Sequence, residues 1–130
     1  MPGTYKYEKV MVVDDSELER KITSRLLQLY GLAKEVVIIG SAPEALQYLR
    51  TLEHTPMELP ELIFLDLHMP GMSGLEFLNE YYLLPNGTRK KHIIMLTSSE
   101  LETDRTQALE NPYVLYFLNK PLDPTVIQNL

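Results

Sequence analysis

Val10-Met11-Val12-Val13-Asp14-Asp15, Leu62-Ile63-Phe64-Leu65-Asp66 and Val114-Leu115-Tyr116-Phe117-Leu118-Asn119-Lys120-Pro121 share one form: an apolar run that ends on charge. Apolar runs of this length read as strands buried on both faces, as in a parallel sheet. If the three run parallel, their C-terminal ends share one edge, and Asp14, Asp15, Asp66 and Lys120 converge there. Open α/β sheets bind ligands at that edge. Three acids and one lysine in one place can hold a divalent cation and a phosphoryl group together.

The rest of the chain alternates strand and helix. Ser16-x-x-Glu19, Ser41-x-x-Glu44, Ser73-x-x-Glu76 and Ser99-x-x-Glu102 each have the form of a helix capping box. Leu18, Ile22, Leu26 and Leu29 fall on one face of the first helix, which Gly31 stops. Ala42, Ala45, Leu46 and Leu49 form the second stripe, and Leu75, Leu78 and Tyr82 the third. Leu101, Ala108 and Leu109 mark a weaker fourth helix. Asp123-Pro124 supplies the cap and first residue of a last, short helix. Val36-Val37-Ile38-Ile39 and Ile93-Ile94-Met95-Leu96 complete a set of five strands. Strict alternation implies a parallel sheet with helices on both faces and right-handed crossovers. Thr51 to Glu61 and Leu84 to Lys91 read as solvated loops at the opposite edge, away from the acids.

Length bounds the chain to one domain: 130 residues, with a core over about 9–130 and a tail over 1–8. The net charge of −6 argues against a partner gripped through nucleic-acid phosphates and suits a cation site. With no cysteine, disulfides, thiolate catalysis and cysteine-based zinc sites are excluded. No apolar run is long enough for a membrane span, so a cytoplasmic protein without a membrane partner is the expectation.

Val12-Val13-Asp14-Asp15, Asp66-x-x-Met69-Pro70-Gly71-Met72-Ser73-Gly74, Leu96-Thr97-Ser98 and Lys120-Pro121, in this order and each after its own strand, resemble the receiver domain of two-component response regulators. The likeness runs from about Lys9 to Leu122. It implies a doubly wound (βα)5 flavodoxin-like fold, CheY-like, with a five-stranded parallel sheet of order 2-1-3-4-5. It also implies transfer of a phosphoryl group from a phosphohistidine, on a sensor histidine kinase or phosphotransfer protein, to one aspartate. Mg2+ is required, and a shift of the α4-β5-α5 face follows.

The resemblance assigns roles residue by residue. Asp66 is the phosphoacceptor; otherwise it is a surface aspartate at a strand end. Asp14, Asp15, Asp66 and the backbone carbonyl of His68 hold Mg2+. The plainer alternative is that one of the pair caps the first helix, a place Ser16 already fits. Crowded carboxylates repel one another without a cation, which favours the metal. Lys120 pairs with phosphoryl oxygens instead of merely lying in solvent, and the family's Lys120–Pro121 bond is cis. Thr97 and the backbone of Ser98 bind the phosphoryl group. Thr97 and Phe117 act as the switch; an ordinary core aromatic is an equal reading of Phe117. Tyr116 points to the other side by strand alternation. His68 and Ser99 line the entrance and tune dephosphorylation. His54 and His92 read as solvated loop histidines, and Gly71 and Gly74 as turn residues.

Pro124 to Leu130 makes under two helical turns, shorter than the family pattern. No effector domain follows, so the expectation is a stand-alone receiver, monomeric or weakly dimeric, acting on an output protein that the sequence does not name, or in a relay. It is a signalling switch that catalyses only its own phosphorylation and dephosphorylation. Two other functions compete. A haloacid-dehalogenase-type aspartyl phosphatase wants a second acid two residues after the nucleophile, where this chain has His68. A phosphorylation-independent docking module would have no need of the five matched site positions. A dinucleotide-binding fold is disfavoured because no G-x-G-x-x-G follows the first strand.

Overall fold

A computed structural model describes residues 4–84 and 92–130; the expected loop from Leu84 to Lys91 lies, from residue 85 on, outside the described residues. The strands are β1 (Tyr7–Val13), β2 (Ala33–Ile39), β3 (Leu62–Leu65), β4 (Ile93–Thr97) and β5 (Val114–Asn119). The helices are α1 (Glu17–Leu29), α2 (Ala42–Thr51), α3 (Gly74–Tyr81), α4 (Glu102–Leu109) and α5 (Pro124–Gln128). A single 3-10 turn over Pro56–Glu58 interrupts the loop before β3. All strand pairs are parallel, in the order β2-β1-β3-β4-β5. This is the flavodoxin-like (βα)5 architecture expected from the sequence.

Alternation along the strands sorts the core into two halves. Met11, Val13, Ile63, Leu65 and Met95 pack with α2 and α3 on one face. Val10, Val12, Leu62, Phe64, Ile94 and Leu96 pack with Leu27 of α1 and Ile127 and Leu130 near α5 on the other. β3 and β4 are buried along their whole length, as their apolar runs predict. β5 is not. It is an edge strand, so Leu115 and Tyr116 are exposed while Val114 and Phe117 are buried. β1 begins at Tyr7, whose N–H donates to the Leu32 carbonyl, so the ordered core starts earlier than residue 9.

The α1 stripe is turned from expectation, with only Leu26 of its four members packed against the core. Leu18, Ile22 and Leu29 are exposed, and Thr23 and Leu27 face the sheet. Leu26, Leu27 and Leu29 supply apolar groups on more than one side, so spacing leaves the helix phase open. α3 buries Leu78 and packs Leu75 against the core as read, but also turns Phe77 and Tyr81 inward and leaves Tyr82 exposed. The α2 stripe is buried as read. α4 buries Ala108, whereas Leu101 and Leu109 stay exposed. Its N-cap is Leu101 without a side-chain bond, so Ser99 is not the cap. His92 is buried, with its carbonyl accepting from Ile63 N–H between β3 and β4, and is no solvated loop residue.

Candidate functional site

Register brings the site together. Val13 pairs with Leu65, so Asp14 and Asp66 leave the sheet side by side. The Asp66 N–H donates to the Val13 carbonyl, and the Asp14 N–H to the Ile39 carbonyl. Thr97 pairs with Asn119, and the Lys120 N–H donates to the Thr97 carbonyl at 2.8 Å, which places Lys120 over the same edge. The Lys120–Pro121 peptide bond is cis. Asp14, Asp15 and Asp66 each offer a carboxylate oxygen, and these oxygens lie within 4.8 Å of one another. Asp14 and Asp66 are buried and Asp15 is exposed.

Lys120 Nζ sits 2.6 Å from Asp14 Oδ2, 3.5 Å from Asp66 Oδ2 and 3.5 Å from Glu19 Oε1. Burial pushes the Asp66 carboxyl above its ordinary 3.8; Lys120 opposes that rise and Asp14 adds to it. Burial alone would depress the Lys120 ammonium. The hydrogen bond to Asp14 and the charges of Asp66, Asp14 and Glu19 outweigh it, so its pKa lies above 10.5. The nucleophile candidate is thus a carboxylate short of solvation, beside one cation and two further acids.

Glu19 escaped the sequence reading, which took it as half of a capping box. Its N–H does donate to Ser16 Oγ, but its carboxylate goes to Lys120. Asp14 Oδ1 accepts from the Ser16 N–H, which fixes the acid pair's approach to α1. Arg20 Nη1 donates to the Asp14 carbonyl and lies against Gly40, where a Cβ would come within 2.9 Å of it. At Gly74 a Cβ would come within 2.4 Å of the Asp66 carbonyl oxygen. That glycine lets α3 start against the backbone of the acid itself, held by the Gly74 N–H to Leu67 carbonyl bond. Gly71, at φ 81°, makes the turn between them.

Thr97 is buried at the end of β4, and its Oγ1 accepts from the Ser99 N–H. Ser98 is exposed and lines the open mouth with Asp15, Ser16, Glu19, Asp66, Lys120 and Pro121. The side chains of His68 and Ser99 both meet Asp104 of α4, while the His68 backbone N–H donates to the Asp66 carboxylate. Phe117 is buried in the α2–α3 side of the core, with Arg105 over its ring at 6.0 Å and Arg105 Nη1 donating to its carbonyl. Neither Asp104 nor Arg105 carries a local sequence signal, since both reach the site only through the docking of α4.

Comparison with known proteins agrees with this fold. The sequence profile of the response regulator receiver domain matches residues 10–130. An uncharacterized 14.6 kDa protein of Leptolyngbya boryana is 36% identical over 115 residues, covering 88% of this chain and 80% of that protein. A protein-glutamate methylesterase/protein-glutamine glutaminase of Dechloromonas aromatica is 35% identical over 87% of this chain, which spans only 30% of that relative's length. A two-component response regulator of rice is 29% identical over 100% of this chain and 56% of its own length. Among solved structures, a response regulator receiver protein of Dyadobacter fermentans superposes with a TM-score of 0.81 at 30% identity, over 94% of this chain and 93% of that one. A two component response regulator of Cytophaga hutchinsonii shares the fold with a TM-score of 0.87 at 23% identity, over 95% and 93%. No helix among the described residues is long and apolar enough to cross a membrane. With that profile matched over residues 10–130, the chain belongs to the response regulator receiver domain family.

Proposed function

We propose that the chain is a phospho-accepting signalling switch in which Asp66 takes a phosphoryl group from a phosphohistidine. The observation that carries this reading is the seating of Asp66: a buried carboxylate 3.5 Å from an ammonium and within 4.8 Å of two further carboxylates. An Asp66 oxygen attacks phosphorus, the bond from phosphorus to the donor nitrogen breaks, and the released imidazole is free to take a proton from solvent. Asp14, Asp15, Asp66 and the His68 carbonyl would hold Mg2+, since every donor is a hard oxygen and the three carboxylates already converge. When bound, the cation offsets the charge that accumulates as two anions meet. Lys120, the Thr97 hydroxyl and the Ser98 N–H receive the phosphoryl oxygens.

The donor is a sensor histidine kinase or a histidine phosphotransfer protein. Its histidine must enter through the mouth, whose rim includes Ser16 and Glu19 at the start of α1. Leu18 and Ile22 stand exposed beside that rim and give a partner helix an apolar surface. Phosphate on Asp66 biases an existing equilibrium of the Thr97 loop and Phe117, read out on α4, β5 and α5. Incubation with Mg2+ and acetyl phosphate adds one phosphoryl group, and Asp66→Asn abolishes it. Labelling that persists in Asp66→Asn overturns the assignment.

A further inference from the structure

The loops after β3 and β4 are tied together by a single carboxylate. Asp104 Oδ2 accepts from Ser99 Oγ at 2.6 Å and lies 3.1 Å from His68 Nε2. A carboxylate only accepts, so the imidazole donates from Nε2. His68 stands two residues after Asp66 and Ser99 two after Thr97, on neighbouring strands. The bridge therefore crosses the sheet edge on the α4 side of Asp66. The open mouth lies chiefly on the other side, lined by residues from the β1–α1 loop and the end of β5, with Asp66 and Ser98 between them and the bridge. Ser99 is itself fixed, since its carbonyl accepts from Asn119 Nδ2 at 2.6 Å and its Oγ from the Leu101 N–H.

We propose that Asp104 is a positioning residue for the lifetime of a phosphoryl group on Asp66: it straps His68 and Ser99 across the α4 side of the acid cluster and keeps water from attacking there. The inference rests on Asp66 being the phosphoacceptor. In hydrolysis, water forms a new bond to phosphorus and the bond from phosphorus to Asp66 oxygen breaks. The Asp66 carboxylate and inorganic phosphate are released, and the proton of water passes to solvent or to the phosphate. The strap acts on the approach of that water and touches none of the reacting atoms.

The test loads the full chain with acetyl phosphate and Mg2+, removes the donor, and follows loss of the added mass by intact-protein mass spectrometry. Asp104→Ala speeds the loss by roughly 2- to 30-fold, the span of coupling that such networks carry. Asp104→Asn keeps one carbonyl oxygen for Ser99 and falls between Ala and wild type. In a His68→Ala/Ser99→Ala background, Asp104→Ala adds nothing, because the strap is already gone. A purely structural role would not produce that non-additivity. Unchanged or slower loss in Asp104→Ala, or an undiminished effect in the double background, overturns the strap. A wild-type chain that takes up no phosphate overturns the phosphoacceptor reading, and the strap with it.

Discussion

Asp66→Asn, studied without divalent cations, separates the charge argument from the packing argument. The substitution keeps shape and removes one negative charge. At the 4.8 Å limit, repulsion between the Asp66 and Asp14 carboxylates is about 3.5 kcal/mol at an effective dielectric of about 20. Attraction to Lys120 at 3.5 Å is about 4.7 kcal/mol on the same scale. These two nearly cancel. Burial, the largest influence on Asp66, then tips the balance against the ionised form. Asp66→Asn is therefore expected to raise stability by about 1–2 kcal/mol in EDTA at neutral pH. Mg2+ reverses the order by stabilising the wild type in proportion to its occupancy and the variant much less. Urea denaturation followed by circular dichroism, with EDTA and with Mg2+, measures both effects. An Asp66→Asn chain less stable than wild type in EDTA refutes the reasoning, because it would make the carboxylate a net contributor to the fold.

Lys120→Met leaves Asp14 and Asp66 without their cation and lowers stability by about 1–3 kcal/mol, less than in a fully enclosed pair because Lys120 opens to the mouth; urea midpoints check this. The raised Lys120 pKa gives stability that is complete below its ordinary 10.5 and is lost as pH rises through the higher folded value, so an alkaline titration of unfolding free energy should show a fall in the wild type that Lys120→Met lacks. Gly74→Ala drives a methyl into the Asp66 carbonyl and lowers stability by about 2 kcal/mol even after alanine's helix preference is counted; a variant as stable as wild type removes this account of α3 docking. Ile22→Asp slows phosphotransfer from a cognate kinase while leaving uptake from acetyl phosphate unchanged; equal slowing of both rates would count against the α1 docking surface.

The parts of the fold that the sequence made legible are those whose environment is symmetric. β3 and β4 are covered on both sides, so an unbroken apolar run suffices to place them, and their terminal Asp66 and Thr97 follow. The edge strand β5 carries a similar run but is half exposed, and composition alone does not tell an edge from a centre. α1 defeated the periodicity because its leucines occupy more than one face. The acid cluster was legible because each member sits at the end of a strand, where parallel topology turns sequence position into proximity. Glu19, Asp104 and Arg105 were not, since each reaches its partner from a helix whose rotation only packing decides.

α4 rests on the sheet through one small buried side chain, Ala108, and is otherwise moored by polar bonds from Asp104 and Arg105. Lifting or rotating such a helix uncovers little oily surface, so the hydrophobic resistance to its displacement is slight. Its amides should be among the first of the helical amides to exchange with deuterated solvent. The same thin footing makes this stretch of chain the cheapest lever for converting a change at one carboxylate into a change of outline.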